Sequence, residues 1–370
     1  MAGKARHLFP GNNTPEGFFS YYRYILNPKE AKKIYCLKGG PGVGKSTLMK
    51  RIGQEFQEAG EDIDYFHCSS DRNSVDGILL KKRKIAMLDG TAPHMIDPVN
   101  PGVVDTIIHL GDFWDEKELR KQKHHVIASG ERLSSLFSGA YNYLRAAGAI
   151  YDNIRSIYGE RIRKEEIYKL GASIINEEMS HKEISSVRGR IKKFFASAIT
   201  PQGIVNEIPS LLHGFRKVYI IKTDIGMETE NLFSTFAENA INRGFDVEAF
   251  YCSMNPSGKI DHVLCHDLGV AIITGNDYHN LDGGNERTWD GEEVVYIPLG
   301  QYANRGISDP LAAIFKDSRE KMDSLLTQGI KCLEEAKKEH DLLESYYIPN
   351  MDFDAINSLE MEIKDEILSL

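Results

Sequence analysis

Lys33-Ile34-Tyr35-Cys36-Leu37-Lys38-Gly39-Gly40-Pro41-Gly42-Val43-Gly44-Lys45-Ser46-Thr47 reads as an apolar strand that runs into a glycine-rich turn and then opens a helix. Glycines let the backbone curl until several N–H groups point inward, and a helix starting there presents its positive N-terminus to the same point. The pattern is that of a P-loop. Gly40, Pro41, Gly42, Val43 and Gly44 form the amide cradle, Lys45 reaches the β- and γ-phosphates, the Ser46 hydroxyl binds Mg²⁺, and Thr47 contacts the α-phosphate. Pro41 sets φ within the loop and replaces an N–H that the cradle can spare. Lys38 stands before the first glycine and Gly40 follows it, so the loop is of the ordinary kind, without a second lysine directly after that glycine. The guanine-reading pattern Asn-Lys-x-Asp is absent, which makes ATP the expected nucleotide.

Ile85-Ala86-Met87-Leu88-Asp89 is an apolar strand ending in a carboxylate, the form of a Walker B element. Asp89 is expected to hold Mg²⁺ through water and to polarise an attacking water. Asp71, just beyond the strand Ile63 to His67, lies on the side where α/β sheets bind ligand. It has two readings: a catalytic or substrate-gripping carboxylate, or the N-cap of a helix beginning near Val75. Lys45, Asp89 and Asp71 are therefore the catalytic candidates, and Ser46 and Asp89 the metal ligands. His94 follows the Walker B strand, but it recurs as His279 in a part of the chain without a P-loop, which favours a structural role. Cys68 and Cys252 fit small buried residues at strand ends. The basic runs Lys117, Arg120, Lys121, Lys123, His124, His125 and Arg188, Arg190, Lys192, Lys193 read as solvated faces.

The chain repeats itself. Ile34-Tyr35-Cys36-Leu37-Lys38 is echoed by Val218-Tyr219-Ile220-Ile221-Lys222, Cys68-Ser69 by Cys252-Ser253, Asp76 by Asp261, and Leu110-Gly111 by Leu299-Gly300. Thr14-Pro15 with Gly17 matches Thr200-Pro201 with Gly203, and Tyr158, Ile167 and Leu170 match Tyr347, Ile356 and Leu359. The offsets drift only between 184 and 189, as a duplication with small insertions produces and chance does not. The expected domains are 1–190, a P-loop NTPase domain, and 191–370, its degenerate copy, joined near the basic stretch His181 to Lys193.

Within each copy, short apolar runs (33–37, 63–67, 84–88, 106–110 in the first) alternate with helical patterns such as Leu48, Ile52 and Phe56, stopped by Gly60. The expected class is α/β: two tandem P-loop NTPase-like units, each a mainly parallel sheet flanked by helices. The charged segments 130–190 and 309–370 form an added helical cap, a lid or the surface joining the halves.

In the second copy the loop is lost. Glu228 stands at the last glycine, Thr229 at the lysine, Glu230 at the serine and Thr274 at Asp89. Two carboxylates with no lysine repel a triphosphate. This half is expected to stay folded as an intramolecular pseudo-dimer partner. It could lend an arginine, with Arg287 and Arg305 as candidates.

A net charge of −9 over 370 residues disfavours nucleic acid and anionic membranes as partners. Five scattered cysteines without metal spacing, no secretory leader and no apolar run of spanning length place the expected protein in the cytoplasm, away from membranes.

With the P-loop, Asp89-Gly90-Thr91-Ala92-Pro93-His94 and Phe195-Ala196-Ser197-Ala198-Ile199-Thr200-Pro201, the chain resembles, over nearly its whole length, a bacterial family of duplicated P-loop ATPases of unassigned role. The resemblance implies ATP binding with no established substrate beyond ATP. Its members also tend to carry a P-loop in the second half, and this chain departs from them there. The leading expectation is an ATPase acting on an unknown protein or small-molecule partner. The alternatives are a small-molecule or nucleotide kinase, with Arg145, Arg155 or Arg161 closing on the phosphates, and a non-catalytic ATP sensor.

Overall fold

The computed structural model describes residues 2–91, 97–159, 162–279, 281, 293–302 and 309–370. The first half runs β1 (Ala5–Leu8), β2 (Gly11–Thr14), β3 (Gly17–Ser20), β4 (Lys33–Lys38), α1 (Lys45–Glu58), β5 (Ile63–His67), β6 (Val75–Leu80), β7 (Ile85–Asp89), β8 (Asp105–His109), α2 (Glu116–Lys121), α3 (Lys123–Gly159) and α4 (Lys164–Met179). The second runs β9 (Ile191–Phe194), β10 (Ser197–Thr200), β11 (Gly203–Asn206), α5 (Ile208–Leu211), β12 (Lys217–Lys222), α6 (Glu230–Asn242), β13 (Val247–Cys252), β14 (Asn255–Cys265), β15 (Val270–Gly275), β16 (Glu293–Pro298), α7 (Asp309–Tyr347) and α8 (Phe353–Ser369).

The two six-stranded sheets have the same order, β1-β5-β6-β7-β4-β8 and β9-β13-β14-β15-β12-β16. They are mainly parallel, as expected, but each is made mixed by one reversed strand that the sequence pattern does not announce. β6 lies antiparallel to both β5 and β7, and β14 does the same between β13 and β15. The reason is connection length. Residues 68–74 and 81–84 are too few to carry a crossover between parallel strands, whereas an antiparallel strand needs only tight turns. Val75–Leu80, every residue of it buried, is that strand rather than a helix.

Alternation along the central strands splits them between two cores. Tyr35 and Leu37 of β4 face Leu48, Met49 and Ile52 of α1. Ile34 and Cys36 face the other way and join Val218 and Ile220 of β12, Phe250 of β13 and Ile273 of β15 in one core shared by both sheets. With both faces buried, the strands carry continuous apolar runs instead of a polar alternation. Phe9 and Phe195 exchange N–H···O bonds of 3.0 and 2.9 Å between the halves. Arg6 of β1 is buried with its guanidinium paired both to Asp64 (2.8 Å) and to Glu248 of β13 (2.8 Å). Burial alone would raise the Glu248 carboxyl, but Arg6 beside it holds the group well below its usual range.

The cap helices are exchanged. α8, from the end of the chain, covers the first sheet, with Ile363 and Ile367 in the core of Tyr35 and Leu48. Glu366 accepts from Lys33 (2.8 Å) and the Tyr35 hydroxyl (2.9 Å). α4 of the first half covers the second sheet, with Ile167, Ile174 and Met179 packed around Tyr219 and Phe233. There Glu177 accepts from Lys217 (2.6 Å) and Glu178 from the Tyr219 hydroxyl (2.5 Å). α3 and α7 pack side by side, with Leu144, Ala147 and Tyr151 against Met322, Leu326 and Leu333.

Ile363→Ala should cost about 2–4 kcal/mol in urea unfolding, as truncation of a buried core isoleucine does. A loss under about 1 kcal/mol would show that α8 does not complete the first sheet's core. Because the folded Glu248 titrates below its unfolded value of 4.5, its contribution is full above that pH and drains as pH falls below it. Glu248→Gln should flatten that acid limb of the stability curve.

Candidate functional site

β4, the strand next to the β8 edge of the first sheet, delivers the chain to the glycine-rich loop, with β7 on one side and β8 on the other. Gly42 (φ +71) and Gly44 (φ +91) take left-handed conformations that a side chain would strain. Gly44 is also the N-cap of α1 and offers no side chain to the first helical N–H groups, which leaves them open to an anion.

Gly40, Pro41, Gly42, Val43, Gly44, Lys45, Ser46, Thr47, Asp71 and Asp89 all line one cavity of about 1200 Å³. Lys45 Nζ donates to the carbonyls of Gly39 (2.8 Å) and Gly40 (3.0 Å) and stands 3.6 Å from the Asp89 carboxylate. Asp89 Oδ1 accepts the Thr91 N–H (2.8 Å), and the Thr91 hydroxyl donates to the Gly39 carbonyl (3.0 Å). Ser46 Oγ accepts the Val75 N–H at 3.0 Å, which ties the loop to β6. A serine hydroxyl and a carboxylate are hard oxygen donors, the set that Mg²⁺ prefers.

Asp71 caps no helix. It sits in the turn from β5 to β6, where its carboxylate accepts the Asn73 N–H (2.9 Å) and pairs with Lys337 (3.3 Å). Cys68 is buried, and burial followed by nearby Asp76 pushes its thiol well above the usual range. The Cys252 thiol is pushed by burial up to about 12. Neither is a nucleophile at neutral pH. The Lys117–His125 cluster is solvent-exposed, with Arg120 on Glu116 and Lys121 on Glu118. His94, Arg161, Arg287 and Arg305 lie outside the described residues. His279 is buried with Nε2 3.0 Å from Ser197 Oγ.

Two groups of cavity residues escaped sequence reasoning. Asp76 is buried in β6, one residue from the Gly77–Leu88 pairing and therefore beside Asp89, and its carboxylate accepts the Tyr22 hydroxyl (2.5 Å). The signal was present in the return of Asp76 as Asp261. The other group comes from the second half. Lys337, His340, Leu343, Glu344, Ile348 and Phe353 reach across from α7 and the start of α8. Glu344 Oε1 accepts the Gly42 N–H at 3.2 Å, so a carboxylate occupies one of the loop's amides. A Cβ on Gly40 would meet the Tyr347 ring at 3.2 Å, and one on Gly42 would meet Ile348 at 3.0 Å. The glycines thus serve a close helix approach as well as the loop's own turns.

At the equivalent place in the second half, the two loop carboxylates are neutralised by the first half. Glu228 pairs with Lys164 (2.9 Å) and Glu230 with Arg155. Asp261, the counterpart of Asp76, has the Lys259 ammonium at 2.9 Å, where the first half carries Ser74.

These features define an α/β protein of two matching units, the first with a glycine-rich loop between β4 and α1. Residues 19–85, from β3 through the loop and α1 to the first residue of β7, match the model of a P-loop-containing family described as Nephrocystin 3, N-terminal. No curated protein and no solved structure matches the chain. Among the described residues, no helix is long and apolar enough to cross a membrane.

Because Glu344 competes for the Gly42 amide, Glu344→Gln should tighten pyrophosphate binding by about 5-fold in calorimetry, on the order of 1 kcal/mol for a charged hydrogen-bond competitor. Unchanged affinity would remove Glu344 from the loop's energetics.

Proposed function

We propose that this chain is a Mg²⁺-dependent ATPase with one competent site, held in the first half and closed by helices of the second. The observation that carries the reading is the convergence of Lys45, Ser46 and Asp89 on one cavity, with the Lys45 ammonium 3.6 Å from Asp89 at the mouth of an uncapped helix. The loop amides and the α1 N-terminus cradle the β-phosphate, and Lys45 swings from the Gly39 and Gly40 carbonyls onto the β- and γ-phosphates. Ser46 and Asp89, with Asp76 adjacent, would hold Mg²⁺, which when bound would supply charge neutralisation at the transferred phosphoryl group. Thr91 keeps the Asp89 carboxylate in place.

The second half acts as a pseudo-domain: its loop carboxylates are spent on Lys164 and Arg155, and α7 reports on the first half's loop through Glu344 and Tyr347. A triphosphate displaces Glu344, and the displacement moves a helix rooted in the other half. That motion is the output such an ATPase would pass to a partner in the cytoplasm.

Lys45→Ala should weaken ATP binding by at least about 10-fold in calorimetry, and Asp89→Asn should lower kcat for ADP release by about 100-fold. Wild-type affinity in Lys45→Ala would overturn the site. Tight ATP binding without any turnover in the wild type would make the chain a sensor instead.

A further inference from the structure

The cavity around the loop is larger than a nucleotide requires. Its volume of about 1200 Å³ exceeds the roughly 300–1,000 Å³ of ordinary small-molecule sites. The lining falls into two groups of residues. Ile348 and Phe353, brought by the second half against Gly42 and Gly44, are apolar and stand beside the loop. From the loop the sheet continues through β7, β6 and β5 to the β5–β6 turn with Asp71, and α3 lines the cavity on that side, where Asn13 joins the Tyr141 hydroxyl to the Ser69 carbonyl. This α3 side is the second lobe. Lys45 and Asp89, 3.6 Å apart, line the same cavity, so if the loop holds ATP as proposed above, the γ-phosphate shares it with the second lobe.

The α3 wall of that lobe carries a recognition pattern. Phe137, Tyr141 and Arg145 recur at four-residue spacing and share one face of α3. The Phe137 and Tyr141 rings are stacked at 21°, and the Tyr141 hydroxyl is anchored on Asn13 Oδ1 (3.0 Å). Arg145 is steadied by Asn142 Oδ1 (2.9 Å) and has no ion pair among the described residues. Of the cavity's lysines, Lys337 is paired with Asp71 and Asp341, and Lys45 is assigned to the phosphates of ATP. An exposed guanidinium without a carboxylate, lining the cavity that Lys45 and Asp89 also line, is suited to a second anion arriving from solvent.

We propose that this lobe is the acceptor site for a phosphate monoester bearing a free hydroxyl, and that the chain transfers the γ-phosphoryl group of ATP to that hydroxyl. Arg145 takes the ester phosphate, and the Phe137–Tyr141 face takes the carbon skeleton. The hydroxyl oxygen forms the new P–O bond as the bond between the γ-phosphorus and the β,γ-bridging oxygen breaks, with ADP leaving. The hydroxyl proton passes to an oxygen of the transferred phosphoryl group and then to solvent, as the loose transition state of phosphoryl transfer allows. Water takes the acceptor's place when the lobe holds no ester, so hydrolysis and transfer are two outcomes of one site.

The test uses the full chain with [γ-³²P]ATP, Mg²⁺ and a defined panel: AMP, CMP and UMP as nucleotide esters, glucose 6-phosphate and glycerol 3-phosphate as sugar and polyol esters, and adenosine, glucose and glycerol as their phosphate-free counterparts. The expected result is label in an acid-stable product from one ester class, with the phosphate-free counterpart far poorer. Arg145→Ala should raise KM for that ester about 30-fold or more and far beyond any change in KM for ATP, with partial rescue in Arg145→Lys. Label in inorganic phosphate alone with every ester, or an ester KM indifferent to Arg145→Ala, overturns the acceptor site while leaving the ATPase standing. Failure of the wild type to bind ATP overturns the loop assignment itself, and the acceptor site with it.

Discussion

Each sheet of this protein has a face that its own half does not cover. α1 shields only part of the outer face of the first sheet, and the rest is closed by α8 from the far end of the chain, with Ile363 and Ile367 buried among Tyr35, Leu48 and Ile52. α4 returns the service on the second sheet. Exposed, these faces would leave Tyr35 and Tyr219 in water; exchanged, each buries its ring and places its hydroxyl on a carboxylate of the opposite half. The inner faces meet directly in one shared core, so neither half has a complete interior of its own. Apolar burial on both sides of both sheets makes the two halves thermodynamically one body.

That constraint explains why the second half, whose loop lacks the glycine, lysine and serine of the first, keeps its strands and helices. Its sheet is half of the shared core, and its α7 and α8 build a wall of the first half's cavity. The degenerate loop has also been absorbed into the exchange. Glu228 and Glu230 would repel a phosphate, yet they serve as acceptors for Lys164 and Arg155 from first-half helices. Asp261, which keeps the place of Asp76, has a lysine ammonium beside it in a fully buried setting, and there the pair must compensate its own desolvation. In this half the charges at the loop position serve packing between the halves.

The glycine-rich loop of the first half is correspondingly not isolated. Its backbone approaches the end of α7 so closely that a Cβ on Gly40 or Gly42 would press on Tyr347 or Ile348. Glu344 on the Gly42 amide links the loop to a helix 39 residues long that also packs against α3. A packed helix pair moves as a unit rather than deforming continuously, so a contact at the loop is felt along its length.

The amino-acid sequence by itself determined the local features. The repeat between residues 14 and 359, the strands at β4, β5, β7 and β8, the helix α1 and the glycine-rich loop with Lys45 and Ser46 were legible from periodicity and backbone preference along the chain, whereas Asp89 meets Lys45 only because β7 pairs with β4. What only the tertiary structure decided is pairing at long range. Val75–Leu80 became a strand between two others because its connections are too short for a crossover, and Asp76 thereby came to stand beside Asp89. α4 and α8 have the same amphipathic pattern whichever sheet they cover, since the pattern specifies that a face be buried and not against what. Which half each would serve, and hence that Glu344, Lys337 and Phe353 would line a cavity centred on Lys45, followed from the geometry of two sheets packed face to face.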